Sequence, residues 1–237
     1  MGPFLMVNKE LALKFLQRKK RRKRAAIISA VCSLLLTMFI VIAFCVMYVD
    51  KFTVTVSKDS LCLTIDETKE ALTTKLEAPP LDKATDIQYS DLPKDIEDGL
   101  GSKNTNGYFS YSFYLGSSSS TNYSLSMILK HSSNELEKAI RVMIIRNGVR
   151  TIYAQANEDG SSKAIYYGET REHYDKILGY TTPFKDNRNI ILEPYYINQD
   201  DFDRYTVVMW IDGWESVNSM KGGIVQTDLK FSTLSNT

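Results

Sequence analysis

Hydrophobic and polar positions alternate with period two over most of the chain after residue 50, the pattern of strands with one face buried. Residues 52–57, FTVTVS, alternate and are β-branched. In YFSYSFYL at 108–115, Phe109, Tyr111, Phe113 and Leu115 share one face. Ser110 and Ser112 share the other, where an added charge is expected to be tolerated. After a turn at Gly116–Asn122, Tyr123, Leu125, Met127 and Leu129 again line one side, so the two runs read as a hairpin. AIRVMIIR at 139–146 is a strand with Ile140, Val142 and Ile144 inward, and Asn147-Gly148 supplies a type I′ turn into TIYAQA at 151–156. A third pair closes the chain: Tyr205, Val207, Met209 and Ile211 face one way, and so do Val225, Thr227, Leu229 and Phe231.

Helical signals outside the N-terminal region are short. Ser133 or Asn134 is placed to cap one turn over 133–138, and 66–76 reads as one short helix. Residues 77–107 are rich in Pro, Asp, Gly and Asn and read as a long connection; 157–189 reads as an insertion loop. The body is therefore expected to be mainly β, an antiparallel sandwich.

A different pattern occupies 25–49. This run carries no charge and would extend about 37 Å as a helix, longer than a hydrocarbon core of roughly 30 Å. Ser29, Ser33 and Thr37 fit such a helix by bonding the backbone of the preceding turn. The run is too long for a cleaved signal peptide and has no A-x-A site, and Phe44 before Cys45 is too bulky for a lipoprotein signal. The expectation is an uncleaved single-pass anchor.

Charge gives its orientation. Residues 1–24 hold nine Lys/Arg against one Glu, whereas the rest of the chain holds 20 against 27 acidic residues. Arg18, Lys19, Lys20, Arg21, Arg22, Lys23 and Arg24 immediately precede the apolar run. The positive-inside rule puts the N-terminus in the cytoplasm and the body outside the cell. The same cations suit anionic lipid headgroups. No aromatic residue interleaves them and the body is acidic, which argues against nucleic acid. The organisation expected is a basic cytoplasmic tail (1–24), a transmembrane helix (25–49), an extracellular strand and linker region (50–107) and a β-sandwich (108–237).

Several segments carry a resemblance: Phe52–Val56, Pro80–Ile87 with Tyr89–Pro93, Asn106–Tyr114, Ala139–Gly148, and Tyr205–Gly213 with Gly222-Gly223-Ile224 and Phe231. Together they resemble a group of uncharacterised membrane-anchored surface proteins of Gram-positive bacteria. The closing strands are more distantly similar to camelysin and TasA-type biofilm-matrix proteins. This implies a jelly-roll-like sandwich, and it raises a surface metallopeptidase or a matrix-assembly subunit as alternatives. Trp214-Glu215-Ser216-Val217-Asn218 departs from the acidic pair and cysteine of that wider group.

Catalytic chemistry is sparse. There is no H-E-x-x-H, nucleophile elbow, P-loop or dinucleotide fingerprint. His131 and His173 are far apart, the first expected at a strand end and the second in a charged loop. Cys62, between Leu61 and Leu63, reads as a buried thiol. Asp200, Asp201 and Asp203 lack EF-hand spacing. No catalytic residue, metal or cofactor is expected. Tyr195, Tyr196, Trp210 and Trp214 are the candidate ligand surface, for a surface protein or polysaccharide. The resulting expectation is a binding or structural role at the cell surface.

Overall fold

The computed structural model describes residues 20–24, 27–39, 51–57, 60–168, 174–186 and 188–234. The chain falls into two compact units, Met1–Asp50 and Lys51–Thr237. In the first, residues 20–24 and 27–39 are helical and exposed. Thr37 Oγ1 donates to the carbonyls of Ser33 and Leu34, at 3.2 and 2.8 Å, as the sequence predicts for a hydroxyl in an apolar helix. Among the described residues no helix is long and apolar enough to cross a membrane. Residues 25–26 and 40–49 of the expected span lie outside the described residues.

The second unit is mainly β. Its strands are β1 (Phe52–Val56), β2 (Leu61–Thr64), β3 (Lys75–Ala78), β4 (Asp86–Ile87), β5 (Gly101–Ser102), β6 (Tyr108–Ser117), β7 (Thr121–Ser132), β8 (Ile140–Arg146), β9 (Val149–Ala154), β10 (Ala164–Gly168), β11 (Tyr174–Tyr180), β12 (Thr182–Pro183), β13 (Asn189–Ile197), β14 (Phe202–Asp212) and β15 (Val225–Thr233). One sheet runs β13-β7-β15-β1-β3. The larger runs β12-β9-β8-β14-β6-β2, with β4 beside β14 and β5 beside β6. β10 and β11 form a separate hairpin. Pairing is mostly antiparallel; β1–β15, β9–β12 and β4–β14 are parallel.

The two sheets pack face to face over the alternating residues picked out by the sequence. Val54, Tyr123, Leu125, Met127, Leu229 and Phe231 come from the smaller sheet, and Leu63, Phe113, Leu115, Val142, Tyr205 and Val207 from the larger. One pairing expectation holds. β8 and β9 form a hairpin whose two-residue turn places Asn147 and Gly148 at φ 49° and 80°. The left-handed region that a type I′ turn requires is what Asn and Gly tolerate.

Two expected hairpins are corrected. β6 and β7 lie in opposite sheets, as do β14 and β15. Each pair is amphipathic because its members face one another across the core. Alternation identifies the buried face, but it does not distinguish a neighbour in the sheet from one across it. The short helix at 66–76 is also absent. Asp66 instead accepts hydrogen bonds from the backbone of Thr68, Glu70 and Ala71, an Asx-type turn that competes with a helix. The turn at Leu136–Lys138 is a 3-10 helix with no side-chain cap, and Ser133 Oγ accepts from the Ile224 amide instead.

The largest correction concerns the outer face of the big sheet. Ser110 and Ser112 are fully buried, and Ser112 Oγ lies 2.8 Å from Thr206 Oγ1. Residues 80–107 cross over this face and form a second core, with Ile96 packed against Met143, Ile145, Val208 and Trp210, and with Ile87, Tyr89 and Leu92 at its margin. Arg150 holds the crossing segment through the Lys94 carbonyl and Glu97, at 2.9 and 3.0 Å. Arg204 holds it through the carbonyls of Glu97 and Gly99. Strands buried on both faces read as continuous apolar runs, as AIRVMIIR does.

Ser112→Asp is therefore expected to unfold the body as Phe113→Asp does, since either places an unpaired charge in a core. Ser112→Ala should cost about 1 kcal/mol in urea melts, the worth of one buried hydrogen bond. Ser112→Ala/Thr206→Val should cost less than the sum of its parts, because no polar atom is then left unpaired.

Candidate functional site

Register assembles a charged cluster on that outer face. Arg141 of β8 stands opposite Trp210 of β14, so the two share a face, and Asp212 follows two residues further along the same face. Arg141 has a side chain 2% exposed. Its Nη2 is 2.7 Å from Asp212 Oδ2 and 3.8 Å from Glu215 Oε1. Lys163, just before β10, places Nζ 2.7 Å from Glu215 Oε2 and donates to the Lys138 carbonyl at 3.2 Å. Burial pulls Arg141 below its ordinary pKa, opposed by the attraction of Asp212 and Glu215. Burial likewise pushes Asp212 above the usual carboxylate value, against the pull of Arg141. Two cations and two carboxylates leave the cluster neutral.

Arg141 and Asp212 of the cluster line a small pocket where the crossing segment meets the β10–β11 hairpin. Gln88 and Tyr89 come from the segment, Ile165 and Tyr166 from β10, and Trp210 and Trp214 from the end of β14 and the turn after it. The space is about 10 Å³, room for one water-sized group. Tyr166 packs on Trp214 with ring centroids 5.2 Å apart, and Tyr89 approaches Trp210 at 6.2 Å. Gly213 admits the segment, since Gln88 Nε2 lies 2.9 Å from where a Cβ would stand. The Trp214 amide donates to Asp212 Oδ1 at 3.0 Å and fixes the turn. Trp210 Nε1 is buried without a hydrogen-bond partner, and Gln88 and Asp91 form a reciprocal capping box at the 3-10 turn Tyr89–Asp91.

The four aromatics predicted as a ligand surface divide between two places. Trp210 and Trp214 line the pocket. Tyr195 and Tyr196 lie on β13 of the other sheet. The Tyr195 ring packs 5.8 Å from that of Tyr123 and carries the Arg146 guanidinium at 4.5 Å, whereas Tyr196 is exposed. Of the basic run, Lys20–Arg24 are helical and exposed, and Arg18 and Lys19 lie outside the described residues.

The residues weighed for other chemistry are dispersed. His131 is exposed near the end of β7, and His173 lies outside the described residues. Cys62 is half-buried, and burial raises its thiol pKa, which disfavours the thiolate. Asp203 is buried and accepts from Tyr123 OH, Arg146 and Asn147, while Asp201 accepts from Asn198. Among the described residues no three His, Cys, Asp or Glu side chains are grouped to hold a metal.

No family model, curated protein or solved structure matches this chain. What the site does is therefore argued from its own geometry. Arg141, Lys163, Asp212, Glu215 and Gln88 are the residues that sequence reasoning missed. One signal was available: Arg141 and Asp212 are charges inside or at the end of otherwise apolar strands.

Asp212→Ala leaves Arg141 buried beside a distant Glu215 and should cost about 3–5 kcal/mol in denaturant melts. Arg141→Met/Asp212→Leu should recover much of that loss, because a buried pair is replaced by packing rather than broken. Glu215→Ala removes the partner of Lys163, so limited proteolysis within 164–180 should accelerate while the rest of the body stays protected.

Proposed function

We propose that the chain is a single-pass membrane protein of the bacterial envelope whose body, a jelly-roll-like β-sandwich, stands outside the cell and binds a component of the surface. The observation that carries the topology is the charge-free run at 25–49 behind the unbroken cations of Arg18–Arg24. The helical residues 27–39 support it. They carry no charge, and Ile27, Leu34, Leu36 and Phe39 are all more than 60% exposed. Such a helix is suited to a hydrocarbon environment. Anionic headgroups are the natural partners of Lys20–Arg24.

The binding reading rests on the aromatic-lined pocket and the buried indole N–H of Trp210, since ligand sites combine apolar walls with a few placed polar groups. A matrix-assembly subunit would need a strand edge that accepts another chain. β13 is the longer edge of the smaller sheet, and Pro194 in its middle has no amide to donate. That favours a body that stays single over one that polymerises through this edge.

Protease added to intact cells should digest the body and leave the N-terminal tail, detected by tags at both ends. A mature chain starting near residue 50 would rule out the uncleaved anchor. Replacing Arg18–Arg24 with glutamine should produce a fraction of inverted molecules whose body is protected.

A further inference from the structure

We infer that the β10–β11 hairpin and the turns beside its foot rest on the headgroup layer of the bilayer that holds the chain. This relies on the proposed anchor for the presence of the bilayer and on the body's own surface for the contact. The hairpin pairs with neither main sheet, and among the described strands β11 pairs with β10 alone. Tyr167, Ile177, Leu178 and Tyr180 are 51%, 43%, 45% and 66% exposed. Large apolar side chains exposed singly are ordinary. Four on one small hairpin form a patch of the kind that marks a protein or membrane contact.

Register places this patch. The start of β1 lies level with the start of β15 and the end of β7, since Thr53 stands beside Asp228 and Asp228 opposite Ile128. Val225, at the start of β15, and Ile211, near the end of β14, pack on the same cluster of Leu136, Ala139 and Met220. Lys163 Nζ reaches the Lys138 carbonyl at 3.2 Å, and Tyr180 pairs with Ala164, the next residue. The foot of the hairpin therefore lies at the end of the body where β1 begins. Val217 and Ile224, in the turns at that end, are 47% and 53% exposed. Three residues of chain, about 10 Å when extended, lead from Val49 at the end of the apolar run to Phe52 at the start of β1. A bilayer entered at residue 49 is thus always within reach of this end, and the contact needs no encounter with a free partner.

The chemistry fits the headgroup layer. Tyrosine prefers the membrane interface, where its ring is apolar and its hydroxyl is wet. The unpaired edge of β11 keeps backbone groups that need water, which the hydrocarbon core does not provide. Cations at this end are matched by acids: Lys51 by Glu77, Lys130 by Asp228 and Lys138 by Glu135. The contact is therefore apolar and independent of anionic lipid and of salt.

The test uses the full-length chain in phosphatidylcholine nanodiscs, with its cysteines replaced (Cys32→Ser, Cys45→Ser, Cys62→Ala). A nitroxide is attached at Tyr180→Cys, at Ile224→Cys or at Val149→Cys. Val149 is 69% exposed in the β8–β9 turn, at the opposite end of β8 from Ile140. Collisions with oxygen, which concentrates in lipid, and with a nickel chelate, which stays in water, read the setting of each label. The expected result is a raised oxygen-to-nickel ratio at 180 and 224, unchanged in high salt, against a water-like ratio at 149. Ile177→Ser/Leu178→Ser/Tyr180→Ser should bring the ratio at 224 down towards that at 149. Near-UV circular dichroism checks that every variant folds. Water-like labels at 180 and 224 would overturn the inference. So would a label at 180 shielded from both reagents, the mark of a protein partner or a second copy. A ratio at 224 that the serines leave unchanged would overturn it too. Failure here is separable from failure of the anchor. Chains that enter the discs with water-like labels refute the contact alone, whereas chains that do not enter them refute the anchor and this inference together.

Discussion

The central constraint on this body is that its larger sheet is buried on both faces. A sandwich satisfies one face by packing it on the other sheet. The second face, with Met143, Ile145, Val208 and Trp210, must be covered by something else. The chain uses residues 80–107, which hold little regular structure, and fixes them with arginine-to-carbonyl contacts from Arg150 and Arg204. Each other unusual feature follows from that cover. It buries Ser110, Ser112 and Arg141, brings Gln88 onto Gly213, and leaves a small gap where it meets the β10–β11 hairpin.

A second polar network sits on the opposite side of the same sheet, between the two layers. Asp203 accepts from Tyr123 OH at 2.6 Å, from Arg146 Nε and Nη2 at 3.0 and 2.7 Å, and from Asn147 Nδ2 at 2.6 Å. Tyr205 OH lies 2.7 Å from Tyr123 OH. Burial drives both phenols well above the ordinary tyrosine value. Tyr123 belongs to the smaller sheet and the others to the larger or its turn, so the network fixes how the layers align. Apolar contacts alone tolerate sliding; a carboxylate with four donors does not. Asn147 serves twice, since its Oδ1 also accepts the Arg204 amide at 2.8 Å and ties the β8–β9 turn to β14.

The sequence made the strands and their inward faces legible, because period-two alternation is a direct image of one-sided burial. Phe113, Leu125, Val207 and Phe231 all lie in the inter-sheet core for that reason. Partners were less legible. The loop between β6 and β7 looks like a hairpin turn, yet it carries the chain from one sheet to the other, and nothing local distinguishes the two. The candidate site was half legible. Trp210 and Trp214 stood out as large aromatics at the end of a strand. Gln88, Lys163 and Glu215 did not, since they are ordinary polar residues in loops. They meet only because the crossing segment and the hairpin fold over the same strands. The isolated charges of Arg141 and Asp212 were a readable clue to a buried pair.

β15 lies at the centre of the smaller sheet, between β7 and the parallel β1. The last described strand is thus inserted between two strands that precede it in the chain. Until it arrives, β1 and β3 are separated from β7 and β13, and half of the inter-sheet core lacks its wall. Such long-range closure is slow and leaves apolar strands open in the interim. The inter-sheet core of this body consequently closes only once β15 is in place, rather than part by part along the chain. A nascent chain depends on whatever shields Phe52, Val54, Leu125 and Met127 until β15 has emerged.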